Sequence, residues 1–292
     1  MKIVEAAGSP RQIGYVTGEA LRDEIRANLE LRRIDTTSAE WQRRFPVFEA
    51  ALEMAVPDIL EEMRATAESA NVEFEQVAAL NCPMFANELV VTDRCTNIAF
   101  GAGPDGPVWG KNNDGPVNRE SLHPCCRIIR PEKGLPQVTF TFCGMLATAD
   151  GMNAAGVAVG HSSVGSVFQQ SDRHVPIRLW YYDCMKRAQT ASELIECLTE
   201  RPLRGKGYSM VCVDRNGATC SIEAPCPLLQ VRMPTHPQGH LQCTNYYQLP
   251  QLAEADRRPP KGKENAVARK KMLVALLEKL ENPGFDEMKA LL

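Results

Sequence analysis

The sequence predicts an α+β protein built in layers, with antiparallel sheets. Two observations carry that class. Before residue 94 the chain is patterned for helices, with apolar residues such as Leu21, Ile25 and Leu29 recurring every fourth position. From Asn97 onward, short apolar runs alternate with Gly, Pro, Asn and Asp clusters, the grammar of strands and turns. The resulting order of α, several β, two α, β and a final α suits helices segregated against antiparallel sheets.

The elements follow in order. Ser9-Pro10 offers an N-cap followed by proline at the first helical position, opening a helix from Ser9 to Arg33. A second helical stretch runs from Phe45 to Ala70, broken or kinked at Pro57. Glu73 to Leu80 makes a third, ending at Asn81-Cys82-Pro83. Strands are expected over Asn97–Ala102 and Pro107–Asn112, joined by the turn Gly103-Pro104-Asp105-Gly106. Cys126–Arg130 and Gln137–Phe142 form another pair around Glu132-Lys133-Gly134. Asp150 to Gly160 is a glycine-punctuated turn feeding a strand; its glycine spacing does not fit a dinucleotide fingerprint. Helices are expected over Pro176–Ala188 and Thr190–Glu200, the second opening with the capping box Thr190-Ala191-Ser192-Glu193. Tyr208–Asp214 and Ala218–Glu223 flank Arg215-Asn216-Gly217 as a hairpin, and Leu228–Met233 and Leu241–Tyr246 continue the strands. A helix from Lys263 to Leu280 and a short one after Pro283-Gly284 close the chain.

The bulk numbers exclude several classes. At 292 residues, 44% hydrophobic and 24% charged, the composition is that of an ordinary globular protein. A formal charge of -3 and a pI near 6.0 argue against nucleic acid or an anionic membrane as partner. The start, Met1-Lys2-Ile3-Val4-Glu5, turns polar too soon for a signal peptide, and no apolar run approaches the ~20 residues of a membrane span. A cytoplasmic protein is expected. Eleven cysteines, an odd number, are not a disulfide framework. Most, like Cys197 and Cys212, sit in apolar surroundings as small buried hydrophobes. The cluster His123-Pro124-Cys125-Cys126 lacks the paired C-x-x-C spacing of zinc sites, so no metal and no other cofactor is expected.

Cys95 stands out. It lies where the helical segment meets the first strands, with the Asn/Asp-rich stretch Gly110 to Gly115 one hairpin later. An unperturbed thiol has a pKa of about 8.5, so it needs a base. A cysteine at a new N-terminus carries one, because an α-amine titrates at about 7.7–8.0 and can take the thiol proton. The five histidines, His123, His161, His174, His236 and His240, form no Cys/His protease motif. The arrangement fits a chain that cuts itself between Arg94 and Cys95. Two other readings stand beside it: a cysteine hydrolase pairing Cys95 with a histidine such as His161 without cleavage, and a non-catalytic binding or scaffold protein.

The motifs resemble the acyl-coenzyme A:6-aminopenicillanic acid acyltransferase family, also called the C45 peptidase family, of N-terminal nucleophile hydrolases. Gly8-Ser9-Pro10 with Gly14 and Gly18 is similar to its opening pattern, Cys95-Thr96 to its processing site, and Gly110-Lys111-Asn112-Asn113-Asp114 to its G-x-N-x-D element. Asp150-Gly151-Met152-Asn153-Ala154-Ala155-Gly156 resembles its G-M-N-x-x-G turn, and Gly217, Ile222-Glu223 and Cys243-Thr244-Asn245-Tyr246 its closing strands. The resemblance implies a four-layer αββα sandwich. It implies a mostly helical light chain, residues 1–94, and a β-rich catalytic chain, residues 95–292, held together as one domain. Cys95 would be the nucleophile and form an acyl-enzyme on a small N-acyl or acyl-thioester substrate, which water or an amine resolves. Asp114 would hold the α-amine or a neighbouring donor, against the alternative of a plain turn aspartate. Asn245 would donate to the oxyanion, against that of an ordinary strand-end amide. Thr96, Phe100, Trp109 and Tyr246 are the candidates for the substrate pocket. Two departures from the family stand out: Arg94 replaces its usual glycine, and the sequence stops at Leu292 where the family continues with further strands.

Overall fold

The computed structural model describes residues 1–33, 35–82, 94–114 and 122–292. Along the chain run β1 (Lys2–Gly8), α1 (Pro10–Ala20), α2 (Arg22–Arg32), α3 (Ala39–Ala55), α4 (Pro57–Ala70), α5 (Phe74–Asn81), β2 (Arg94–Phe100), β3 (Val108–Asp114), β4 (Pro124–Pro131), β5 (Gln137–Phe142), β6 (Gly151–Asn153), β7 (Ala158–Ser163), β8 (Val175–Pro176) and α6 (Ile177–Cys184). There follow α7 (Ala191–Thr199), β9 (Leu203–Arg204), β10 (Tyr208–Val213), β11 (Thr219–Ala224), β12 (Gln230–Arg232), β13 (Leu241–Cys243), α8 (Pro260–Leu277) and α9 (Phe285–Leu291). They form two compact units: Met1–Glu88, Glu120–Ala154 and Gln170–Arg187 in the first, and Leu89–Arg119, Ala155–Gln169 and Ala188–Leu292 in the second.

In the first unit, β1, β4, β5 and β6 lie side by side, with β1 parallel to β4 and the rest antiparallel. The predicted N-cap is in place: Ser9 Oγ accepts from Gln12 N and Gln12 Oε1 accepts from Ser9 N, a reciprocal capping box with Pro10 behind it. The opening glycines have a packing reason. A Cβ on Gly14 or Gly18 of α1 would fall 2.2 Å from the carbonyl oxygen of Glu62 or Thr66 of α4, so only glycine lets the two helices approach this closely. Arg127 of β4 is buried against Glu62 of α4; it donates to Glu62 Oε1 and to the Leu146 carbonyl (2.7 Å), and Tyr182 of α6 donates to both Glu62 oxygens.

Three expectations change here. β1 was not anticipated. The helix predicted over Ser9–Arg33 is interrupted at Leu21, whose φ of -116° leaves the helical region between α1 and α2. The second helical stretch begins earlier, at Ala39, because Ser38 caps it by accepting from Trp41 N, and Pro46 lies within it. Pro57 starts α4, as its break predicted.

In the second unit, β7, β10, β11 and β12 form an antiparallel sheet, and β13, β2 and β3 form another. They pack through Ala99, Leu241 and Cys243 on one sheet and Ala158, Val211 and Val213 on the other. The opposite face of the three-stranded sheet, at Ile98, Phe100 and Val108, is covered by Leu273 and Leu277 of α8 and Met288 of α9. α7 lies against β11. Asp214 ties α7 to the β10–β11 hairpin, since its Oδ2 accepts from Ala191 N and its Oδ1 from Asn216 N and Ala218 N. This unit therefore stacks α, β, β and α, and the predicted hairpin is present. β3 runs on through Asn113 and Asp114, two residues past the predicted strand end, and β13 stops at Cys243, so Asn245 and Tyr246, expected in a strand, lie on the bend that follows.

Candidate active site

Cys95 sits near the start of β2 and is 2% exposed. Directly across the β2–β3 ladder is Asn113, so the two side chains share one face of the sheet, and Cys95 Sγ donates to Asn113 Oδ1 at 3.5 Å. The Cys95 main chain is held at both ends. Its N–H donates to Asn245 Oδ1 at 2.6 Å, and its carbonyl accepts from Arg269 Nη1 of α8 at 2.6 Å. Arg269 also donates to Thr96 Oγ1 (2.9 Å), Asn245 Oδ1 (2.8 Å) and Asn265 Oδ1 (3.0 Å). Burial pulls the Arg269 pKa below its ordinary value, against the opposing pull of Cys95 and Asp114 as anions, which favour the cation.

Asn245 is fully buried and its orientation is determined by its neighbours. Two N–H donors, Cys95 N and Arg269 Nη2, meet one end, and the Ser163 carbonyl, an acceptor only, meets the other at 2.8 Å. The oxygen must face Cys95 and the NH₂ must face Ser163. The oxyanion-donor role expected for Asn245 needs its NH₂; here one of the two N–H groups donates to the Ser163 carbonyl, and the side-chain oxygen accepts from the Cys95 nitrogen. Arg258 donates to the same Ser163 carbonyl at 2.7 Å.

The structure thus gathers Cys95, Thr96 and Asn245. Asp114 stands one residue along, across the ladder from Arg94; both are exposed and lie on the face away from the Cys95 side chain. Phe100 is corrected as a pocket candidate: its position in β2 turns it toward α8 and α9, where it is core beside Ile98, Val108 and Leu273. Trp109 is on the Cys95 face, packed against the second sheet, with Nε1 buried and without a partner among the described residues. Tyr246 is half-buried next to Asn245, and burial raises its phenol pKa. His161 lies with Nδ1 3.2 Å from Lys111 Nζ and edge-on to Tyr208. Among the described residues no three His, Cys, Asp or Glu side chains group to hold a metal, and no helix is long and apolar enough to cross a membrane.

Sequence reasoning missed Arg269 and Asn113. Arg269 stands in the run Arg269-Lys270-Lys271, which reads as the solvated face of a helix. Asn113 lay within the quoted G-x-N-x-D element without a role of its own; the even-odd register opposite Cys95 was the available signal.

The layered helices and sheets are those of an N-terminal nucleophile hydrolase fold. The sequence profile of the acyl-coenzyme A:6-aminopenicillanic acid acyl-transferase family matches residues 102–290, and the chain belongs to that family. The match spans Asp114, Asn245 and Arg269 and begins seven residues after Cys95. The fold is similar to that of a Caenorhabditis elegans ortholog of N-acylethanolamine-hydrolyzing acid amidase, at 15% identity over 68% of this chain and 85% of that one, with a TM-score of 0.50. Penicillin V acylase from Agrobacterium tumefaciens aligns at 18% identity over 56% of this chain and 48% of that one, with a TM-score of 0.34. A variant of conjugated bile acid hydrolase from Clostridium perfringens aligns at 12% identity over 52% and 46%, with a TM-score of 0.30. No curated protein sequence matches the chain.

Proposed function

We propose that the chain is a self-processing cysteine amidohydrolase or acyltransferase that works through an acyl-Cys95 intermediate. The observation that carries this reading is the fixation of Cys95 at three points: nitrogen on Asn245, carbonyl on Arg269 and sulfur on Asn113. Any buried residue must satisfy its N–H and carbonyl, but here side chains rather than a neighbouring strand do so and a third side chain meets the sulfur, which holds the thiol and the adjoining peptide in the fixed geometry that attack requires.

In self-cleavage the Cys95 sulfur adds to the Arg94 carbonyl carbon. The Arg94–Cys95 C–N bond then breaks, the nitrogen leaves with the thiol's proton, and a thioester remains. Water hydrolyses that thioester, leaving an Arg94 carboxylate and a free Cys95 α-amine. Asn245 Oδ1, already bonded to this nitrogen, would hold the amine. In turnover the amine takes the thiol proton, sulfur adds to the substrate carbonyl, and the leaving amine or thiol departs with a proton. Water or an acceptor amine then releases the acyl group. Asp114, across the ladder from Arg94, is proposed on the family resemblance to hold the α-amine or a neighbouring donor. Residues 1–94 and 95–292 would stay associated without a covalent link. The family description supports a small N-acyl or acyl-thioester substrate. An odd number of cysteines scattered through apolar surroundings, with no disulfide-framework spacing, supports a reducing compartment such as the cytoplasm.

The test is intact mass under denaturing conditions, on the natural chain and on Cys95→Ala. Two masses summing to the whole plus one water, the heavier starting at Cys95, with a single uncut mass for the variant, are expected. A single uncut mass for both would refute self-processing and leave the uncut binding protein or the uncut cysteine hydrolase as the reading.

A further inference from the structure

Asn245 lies on a bend with no helix or strand of its own to fix it, yet its carbonyl must meet Cys95 N to within hydrogen-bond distance. What fixes the bend is a second buried group. Glu223, near the end of β11, is fully buried, and its Oε2 accepts from Gln248 N at 2.8 Å and Leu249 N at 3.0 Å. Its Oε1 accepts from Arg232 Nε of β12 at 3.3 Å. Arg232 in turn donates from Nη2 to the Gln242 carbonyl of β13 at 2.7 Å, and the side-chain amides of Gln242 and Gln248 pair with each other. The chain from Gln242 to Leu249 is therefore grasped at both ends by one ion pair, with Asn245 midway. Thr244 Oγ1 adds a bond to the Ala266 carbonyl of α8, the helix that carries Arg269.

A fully buried carboxylate is costly unless its partners are worth more than water, and the more economical way to close a bend is an apolar contact. Such a pair at this place is better explained by orientation than by stability. We infer that Glu223, backed by Arg232, is the positioning residue that aims the Asn245 carbonyl at the Cys95 nitrogen. The inference rests on the proposed role of Cys95 for its catalytic meaning, but its geometric content does not.

Glu223→Gln keeps the shape and one oxygen for the Gln248 and Leu249 N–H groups, and sets an NH₂ against the Arg232 donor. The experiment has two arms on the full chain. The first uses the Cys95→Ala chain, which stays uncut, labelled with ¹⁵N-asparagine, the Asn245 side-chain amide being assigned by its loss in Asn245→Asp. Adding Glu223→Gln is expected to speed hydrogen exchange of that amide at least tenfold while most other asparagine signals stay in place. In the second arm, Glu223→Gln in the natural chain is expected to slow self-cleavage about tenfold. An unchanged Asn245 amide overturns the inference whether or not the chain cleaves. Failure of the natural chain to cut, with the amide still responding, overturns the proposed function and leaves the positioning role standing. Should Glu223→Gln not fold, Arg232→Gln, at a residue partly open to solvent, is measured in its place; a folded variant with an unaltered Asn245 amide likewise overturns the inference.

Discussion

Replacing Arg269 with methionine tests the proposed site at its most connected residue. The variant loses hydrogen bonds to the Cys95 carbonyl, Thr96, Asn245 and Asn265. Hydrogen bonds to a charged group contribute about 1.5–3 kcal/mol each, but those to Thr96 and Asn265 hold only Arg269 itself and the strand beside it. Burial of the cation already costs stability, as its lowered pKa shows, and methionine removes that cost while keeping much of the stem's packing. A net stability loss of about 1–3 kcal/mol follows. The rate is hit differently. The bonds to the Cys95 carbonyl and to Asn245 fix the reacting segment, and losing about 3 kcal/mol of that fixation corresponds to roughly a hundredfold at about 1.4 kcal/mol per decade. The assay is a pulse of cell-free synthesis followed by timed intact-mass measurement of the uncut chain and the fragment beginning at Cys95, with thermal unfolding of the product alongside. Arg269→Lys should fall between the two, since one ammonium cannot span the Cys95 carbonyl and Asn245 as the guanidinium fork does. If folded Arg269→Met cleaves within about threefold of the natural chain, the reasoning about Cys95 fixation is wrong.

Two further outcomes are expected. His240 is buried, stacked on His236 with ring centroids 4.4 Å apart, and neither of its ring nitrogens has a partner among the described residues. Burial lowers its pKa from 6.5 to about 4, so the unfolded chain takes up the proton first and stability falls as pH drops from 6.5 to about 4, by at most about 3 kcal/mol. Urea unfolding at pH 7 and pH 4.5 should show this slope in the natural chain and a shallower one in His240→Phe; equal slopes would exclude His240 as its source. In the other unit, Arg127→Met strands the buried Glu62 carboxylate and should cost about 3–5 kcal/mol in denaturant unfolding, most of it recovered by adding Glu62→Leu. A loss below about 1 kcal/mol would show that the pair is not needed.

Local chemistry made much of the fold readable in the sequence, and non-local pairing hid the rest. Ser9, the Asp214 hairpin and the strand over Gln137–Phe142 declare themselves within a few residues through caps, turns and alternation. β1 does not, because Lys2-Ile3-Val4-Glu5-Ala6-Ala7-Gly8 is alanine-rich and owes its form to parallel pairing with β4, more than a hundred residues away. The single long helix expected up to Arg33 followed from an unbroken apolar period, which carries no mark of the interruption at Leu21. Alternation put Phe100 and Thr96 on one face of β2, toward α8, but not which of them meets Arg269; that depends on where α8 crosses the strand, and only Thr96 is close enough. The orientation of the Asn245 amide could not be read, since its two ends are assigned by Ser163 on one side and Cys95 and Arg269 on the other, all distant in sequence.

Asn245 reaches Cys95 across 150 residues of chain, and Arg269 reaches it across 174. A nascent polypeptide leaving the ribosome therefore carries its thiol long before it carries the groups that aim it. Until α8 has been synthesised and has docked, Cys95 is an ordinary cysteine in an ordinary peptide. Under the proposed self-processing, scission would then be a receipt for docking: each cut molecule would have brought α8 against β2 at least once, and one that had not would keep its Arg94–Cys95 bond.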